Sequence, residues 1–298
     1  MFKNKYALLV VLMLVLSCTM VLVGCGEEKP AEEPKGQEQA GQQGELSGSF
    51  TIAGSTSVQP LSEVLSQEYM KKNPNVKIYV QGGGSSAGIK AVDTGAAEIG
   101  SASRELKESE KELGLTEYRI AVDGIAIVVH PENEAVEDLT LEQVRKIFSG
   151  EITNWKELGG ADAKIDVVSR EEGSGTRGAF EDMVMKYKDA AGEKKKADLV
   201  ADAAVQNSNG SVRSTVSGDP NAIGYLSLAY IDESIKTVKV DGVEPTTDKI
   251  LAGEYKISRP FLYLTKGEVE NIVKDYIDWV LSDEGQAIVE KKGLVKIK

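Results

Sequence analysis

The chain has 298 residues, 41% of them hydrophobic and 28% charged, and carries a formal net charge of −12. That is enough for one large or two medium lobes with a true apolar core. The acidic balance argues against nucleic acid as a partner and against a polybasic membrane patch, but leaves an anionic ligand open, because the field at a closed site is local. Both cysteines, Cys18 and Cys25, lie near the N-terminus, so the folded part has neither a disulfide nor a Cys-based metal site.

In chain order, Lys3 and Lys5 precede an apolar run from Ala7 to Val23, as in a secretory signal. Taken alone, the run is also about long enough to stay as a membrane anchor. Its end decides the matter: Leu22-Val23-Gly24-Cys25 resembles the lipobox of bacterial lipoproteins. That resemblance implies removal of residues 1–24, with Cys18 among them, and lipidation of Cys25. Residues 26–47 are mostly Glu, Gln, Gly, Lys and Pro and cannot bury enough surface to order themselves. Residues 25–47 therefore read as a lipidated Cys and a disordered tether, with the folded part starting near Gly48.

From Gly48 a unit recurs: a strand, a loop of Gly, Ser and Thr, then a helix. Ser49 to Ala53 leads into Gly54-Ser55-Thr56-Ser57, and Leu61, Val64, Leu65 and Tyr69 follow at helical spacing, with Pro60 tolerable in the first turn. Asn73-Pro74-Asn75 ends that helix. Val76 to Val80 leads into Gly82 through Gly88, followed by a short helix with Ile89 and Val92 inward. Gly100-Ser101-Ala102-Ser103-Arg104 is a weaker copy. Lys107 to Leu113 reads as a solvated helix. Tyr118 to Val129 is a β-rich stretch long enough to cross between lobes, with Gly124 as a bend. His130 follows, just before Pro131, and has no assigned chemistry. Leu141 to Phe148 is helical.

The most developed copy is Ser169 to Arg177. Lys164 to Val168 leads in, and Phe180, Met183, Val184 and Tyr187 lead out at i, i+3, i+4, i+7. Residues 189–198 read as surface. Asn207 to Gly210 is a polar loop before Val212 and Val216. Ala222 to Leu226 is a strand and a candidate return crossing. Phe261 to Leu264 is a late strand, and Asn271 to Leu281 an amphipathic helix.

A hydroxyl-rich loop at a helix N-terminus offers free N–H groups and the positive end of the dipole to an anion. Arg170 adds a planar, charged fork suited to an oxyanion. No loop has the Walker or dinucleotide frame. The alternation of strands and helices gives an α/β fold. The two crossings divide it into lobe 1, residues 48–125 and 225–298, and lobe 2, residues 126–224, with a cleft between them lined by loops at strand ends.

Taken together, Gly54 to Pro60, Gln81 to Ser86, Ile147 to Trp155, Arg170 to Thr176 and Ala222 to Tyr225 resemble the phosphate-binding lipoproteins of Pst-type ABC importers (the PstS family), from about Gly48 to the C-terminus. The resemblance implies a two-lobed periplasmic-binding-protein fold of type II, a ligand cleft between the lobes and two crossover strands. It implies a monomer outside the cytoplasmic membrane, anchored to the cell membrane by lipid, that passes inorganic phosphate to a membrane permease. It implies no enzymatic activity, cofactor or metal. Carried over by motif, Thr56 and Ser57, Ser85, and Arg170, Ser174, Gly175 and Thr176 hold the anion. Ser55 is a further candidate, with a structural turn as its other reading. Trp155 reads as packing. Many family members place an Asp where this chain has Ser103; that Asp accepts the proton of phosphate and helps reject sulfate. Ser103 remains a candidate ion contact, with selectivity over sulfate as the point at issue.

The nearest alternative is the same machine for sulfate, tungstate or molybdate. A secreted phosphatase or serine hydrolase using Ser174 would need a base beside it, and the single His lies outside every motif. A binding fold kept for adhesion or signalling is disfavoured by the intact loop from Arg170 to Thr176.

Overall fold

The computed structural model describes residues 46–297. The signal run, Cys25 and most of the tether lie outside the described residues. Strand β1 (Gly48–Gly54) leads into α1 (Gln59–Lys72), and β2 (Val76–Gly82) into α2 (Ser85–Asp93). Next come β3 (Ile99–Ala102), α3 (Glu108–Lys111), the long β4 (Leu115–Val129), β5 (Asp138–Leu139) and α4 (Leu141–Phe148). Then β6 (Asp166–Arg170) runs into α5 (Gly175–Phe180), followed by the hairpin β7 (Lys186–Lys188) and β8 (Lys194–Lys196). The later elements are β9 (Ala204–Gln206), α6 (Asn209–Ser217), β10 (Ala222–Ser227), β11 (Lys236–Val240), α7 (Thr247–Leu251), β12 (Ser258–Lys266), α8 (Asn271–Val280) and α9 (Asp283–Lys291).

The main sheet has the order β2-β1-β3-β12-β4-β10-β6-β9. Its organising strand is β4. Leu115 to Gly124 pairs antiparallel with β12, and Ile125 to Val129 pairs antiparallel with β10. The partner changes between Gly124 and Ile125, where the sequence suggested a bend. A Cβ on Gly124 would lie 2.7 Å from the terminal methyl carbons of Leu228 and Ile250, so a larger residue at the change of partner would have to push these two side-chain ends aside.

An apolar core lies on each side of this switch. One gathers Phe50, Ile52, Leu61, Leu65, Tyr69, Ile120, Phe261 and Tyr276. The other gathers Ile125, Ile127, Val144, Phe148, Trp155, Phe180 and Tyr225. Buried strands read as near-continuous apolar runs, and β4 is buried without a break from Ile125 to Val129. This is the two-lobed α/β architecture of the periplasmic-binding-protein fold.

Two local expectations change. First, β10 does not cross: it lies wholly beside the Ile125–Val129 half of β4. Residues Val238, Val240, Ile250, Tyr255 and Ile257, grouped by sequence with the first lobe, pack into the second core. The return falls at the start of β12, where Ile257 belongs to one core and Phe261 to the other. Second, the helix after Thr176 does not reach Tyr187. It ends in a π-helical turn, Glu181–Met185, and Tyr187 sits in β7. There the ring of Tyr187 packs under the Arg145 guanidinium at 4.2 Å. The Met185 carbonyl accepts from Ala197 N (2.9 Å), which closes the hairpin back on the helix end.

Phe180 joins this core to the candidate site. Its ring stacks on Tyr225 at 4.0 Å and meets Phe148 edge-on at 4.8 Å. Phe180→Ala is expected to cost about 3–5 kcal/mol of stability, as for large aromatic truncations in cores. Urea unfolding should show a lower midpoint with an unchanged slope.

Candidate anion-binding site

The recurrent loops meet at the carboxyl ends of parallel strands, the usual place for ligands in open α/β sheets. The Ser55 hydroxyl accepts from the N–H groups of Ser57 (3.2 Å) and Val58 (3.4 Å), and Gln59 N donates to the Ser55 carbonyl (3.0 Å). The helical turn therefore begins at Ser55. Pro60 has no N–H to give the Thr56 carbonyl four residues back. The Tyr230 hydroxyl donates to that carbonyl instead, at 2.7 Å. The proline thus makes the place where β10's following turn grips the first loop.

Thr56, Ser57, Arg170 and Thr176 form one buried cluster. Arg170 Nη2 donates to Thr56 Oγ1 (3.2 Å) and Nη1 to Thr176 Oγ1 (3.4 Å). The hydroxyls of Ser57 and Thr176 lie 2.9 Å apart. Residues distant in sequence, from both halves of the molecule, are thereby joined. The other edge of the Arg170 guanidinium, Nε and Nη2, faces the Glu171 carboxylate at 2.8 Å on each side. Arg170 N lies 3.3 Å from the Tyr225 hydroxyl, which also bonds the Ser169 hydroxyl at 2.9 Å. Burial pushes the Tyr225 phenol up to about 12, so it is un-ionised at neutral pH and free to donate.

Ser85 and Ser103 form an adjoining pair. Ser103 N donates to Ser85 Oγ (3.1 Å), and the Ser55 hydroxyl donates to Ser103 Oγ (2.8 Å). Gly175 presses against both. A Cβ there would sit 2.2 Å from Ser85 Oγ and 2.5 Å from Ser103 Oγ. Ser174 caps α5, its hydroxyl accepting from Arg177 N at 3.2 Å. Of the carried-over residues, Thr56, Ser57, Arg170 and Thr176 thus share hydrogen bonds, Ser85, Ser103 and Gly175 abut them, Ser55 serves as a helix cap, and Ser174 is committed to a cap. Trp155 is buried, its indole N–H donating to the Asn221 carbonyl at 3.0 Å, in keeping with packing.

Sequence reasoning missed Asn209, Asp123, Ser227 and Arg259. Asn209 Nδ2 donates to Ser57 Oγ (2.8 Å) and Thr56 Oγ1 (3.3 Å), while its Oδ1 accepts from Ser227 N (3.1 Å). It stands at the start of α6 after β9, one more strand–polar loop–helix unit, and that was the available signal. Arg259 Nη2 donates to Ser57 Oγ at 3.0 Å. Arg259 is opposite Asp123 in the β12–β4 ladder, and its Nε and Nη2 lie 3.2 and 3.0 Å from Asp123 Oδ2. The Ser227 hydroxyl holds the other oxygen of Asp123 at 2.9 Å.

A family model for the PBP superfamily domain matches residues 34–284, which defines the chain as a periplasmic-binding-protein-type solute-binding domain. The chain belongs to the PstS family of phosphate-binding proteins. It is 34% identical to the phosphate-binding protein PstS of Bacillus subtilis, over 99% of this chain and 95% of that protein. Among solved structures it resembles a phosphate ABC transporter substrate-binding protein of Clostridium perfringens with bound phosphate, at 48% identity and a TM-score of 0.79, covering 84% of this chain and all (100%) of that one. It also resembles an ABC-type phosphate transport receptor of Vibrio cholerae, at 37% identity and a TM-score of 0.68, covering 84% and 100%.

Beside the site, Arg104 is buried. Its guanidinium meets Glu110 at 2.6 and 2.8 Å and the Ser86 hydroxyl at 3.1 Å. Burial pushes the Glu110 carboxyl up, but hydrogen bonds from Arg104 and from Lys107 N–H outweigh it and leave it below the ordinary glutamate value. A carboxylate held down by folding contributes stability above its unfolded value, and that contribution is lost as pH falls through the folded one. Glu110→Gln should therefore cost about 1.5–3 kcal/mol at neutral pH, the range for hydrogen bonds to charged groups. The difference from wild type should shrink below pH of about 4.3, the ordinary glutamate value. Urea unfolding of both proteins from neutral pH downwards checks the sign.

Proposed function

We propose that this protein captures inorganic phosphate outside the cytoplasmic membrane and passes it to the permease of an ABC importer. The observation that carries the reading is the meeting of Arg170 and Thr176 with Thr56 and Ser57 in one buried cluster of donors. Hydroxyls, a guanidinium fork and helix N-terminal N–H groups are the donors a tetrahedral oxyanion requires. The relatives named for phosphate, at substantial identity over nearly the whole chain, support the choice of ion. Its ligands are Thr56, Ser57, Ser85, Ser103, Arg170, Ser174, Gly175 and Thr176, and the anion bridges the lobes and favours their closed arrangement.

The reading is of a binding protein rather than a hydrolase. The Ser174 hydroxyl accepts from Arg177 N as a cap, and the single His, His130, has its Nδ1 accepting from Glu132 N at 3.1 Å in the turn after β4. Titration calorimetry of the purified full-length protein in detergent should show one phosphate bound per chain. Arg170→Ala should weaken it by about a hundredfold or more, since each charge-assisted hydrogen bond contributes about 1.5–3 kcal/mol. Arg177→Ala should weaken it less, because Arg177 acts only through the Arg170 carbonyl, to which its Nη1 donates at 3.1 Å. No heat with phosphate, or equal effects of the two substitutions, would refute the assignment.

Ser103 favours a second feature, tolerance of sulfate. Its oxygen already accepts from Ser55, which leaves its own proton to donate. Fully ionised sulfate accepts such a proton as readily as phosphate does. Phosphate is therefore preferred, but sulfate competes measurably, and Ser103→Asp widens the gap by repelling sulfate. Competition titrations at fixed ionic strength test this; indifference of wild type to millimolar sulfate would show that another group does the rejecting.

The anchor is lipid at Cys25. Stable anchoring takes more than one acyl chain, and lipobox processing supplies at least two. Cys25→Ser should release the protein from membranes in a fractionation assay. Unchanged membrane association and lipid labelling would sink the idea.

A further inference from the structure

Arg170 and Arg259 are built into the molecule in the same way. A guanidinium has two parallel-donor edges, one formed by Nε and one Nη, the other by the two Nη atoms. In Arg170 the first edge meets Glu171 and the second meets the hydroxyls of Thr56 and Thr176. In Arg259 the first edge meets Asp123, and from the second edge Nη2 donates to Ser57 Oγ. The remaining donor of that second edge, Nη1, is buried and has no hydrogen-bond partner among the described residues. In the planar guanidinium one of its N–H bonds runs parallel to the Nη2 N–H that Ser57 accepts, on the side of the cluster where the Ser57 and Thr176 hydroxyls meet. Arg259 is only 3% exposed, so no bulk water meets this donor. A buried guanidinium N–H without a partner is costly, and such groups call for an explanation.

We propose that Arg259 is a second arginine ligand of the bound anion, its Nη1 donating directly to an oxygen of phosphate. The inference rests on the phosphate reading above and deepens it. It assigns the anion two guanidinium forks, Arg170 from β6 and Arg259 from the strand that returns between the lobes. Each fork is held rigid from behind by its own carboxylate, Glu171 or Asp123. The two cations repel each other across the hydroxyl pair, and Arg170 adds to burial in pushing the Arg259 guanidinium down. A dianion between them relieves that repulsion, so phosphate is favoured where its second proton has left. Asp123 and Ser227 are positioning residues, because they fix the plane of Arg259 without reaching the anion.

The test is calorimetric titration of inorganic phosphate into purified full-length protein. Arg259→Ala alone would strand Asp123 in the interior and threaten folding. The informative variants are Arg259→Lys, which keeps the charge and loses the fork, and the paired Asp123→Asn with Arg259→Gln, which removes both charges together. Wild type should bind phosphate, Arg259→Lys should bind about tenfold or more weakly, and the paired variant about a hundredfold or more weakly. Ligand-free melting temperatures of the folded variants should stay near wild type. A paired variant that folds and binds within about threefold of wild type overturns the inference. If the paired variant does not fold, Arg259→Lys decides by the same threshold. Wild type that binds neither phosphate nor sulfate defeats the functional reading itself, and this inference with it.

Discussion

The constraint on which the rest depends is the burial of two guanidiniums at one point. Arg170 is 1% exposed and Arg259 3%. Taking a cation out of water costs several kcal/mol even after relaxation, and it is tolerated only with paired charge and satisfied donors. The surrounding residues supply the paired charges and partners for the donors, with Arg259 Nη1 as the exception among the described residues. Glu171 and Asp123 match the charges, the hydroxyls of Thr56, Ser57 and Thr176 take up donors, and Asn209 fixes those hydroxyls from the side. The cluster would be poor design for stability alone, since apolar residues of the same volume would fill the space at lower cost. Its retention makes sense for a site that must hold charge.

The fold brings this about through its strand switch. β4 contributes Asp123 immediately before Gly124, where its partners change; β12 contributes Arg259 opposite it; β10 contributes Ser227 at the end that meets Ile125. The charges therefore sit at the point through which both lobes are connected. β1, β2, β6 and β9 each end in a polar loop that leads into a helix. Gly175 lets α5 approach Ser85 and Ser103 more closely than any side chain would allow.

Much of this was legible in the sequence. Glycine- and hydroxyl-rich loops between a strand and a helix marked where the chain turns, and the family resemblance, not the loops alone, singled out Thr56, Ser57, Ser85, Arg170 and Thr176, of which Thr56, Ser57, Arg170 and Thr176 share hydrogen bonds. Arg259 was not among them. Ser258-Arg259-Pro260 reads as the polar start of a strand, and an arginine before proline is ordinarily a surface residue. Nothing local reveals that its cross-strand neighbour is Asp123, because antiparallel register between distant segments is a tertiary fact. Asp123 itself left a trace, as the one acid inside Ile120 to Val129. The helix drawn through Tyr187 failed for another reason. Four apolar positions at helical spacing cannot register a π-helical turn and a hairpin that begin within the pattern. The crossing assigned to β10 failed because a buried strand has the same composition whether or not it changes lobes.

The charge balance explains how so acidic a chain can accommodate an anion. Counted by side chains, the cluster pairs Arg170 with Glu171 and Arg259 with Asp123, so it is formally near neutral before any ligand arrives. What it offers is directed donors rather than net charge: guanidinium edges facing away from their carboxylates, oriented hydroxyls and helix N-termini. Directed dipoles in a buried site act at full strength at short range and are little affected by distant surface charge. The negative surface therefore lowers the rate of encounter more than the strength of the final complex. Near the site this repulsion is locally offset. A cavity of about 400 Å³ beside Ser174 is lined by Arg104, Lys107, Arg177 and Lys196 as well as Glu172 and Glu181. There four basic side chains stand against two acidic ones, with Arg104 paired to Glu110 and both Arg177 and Lys196 paired to Glu181.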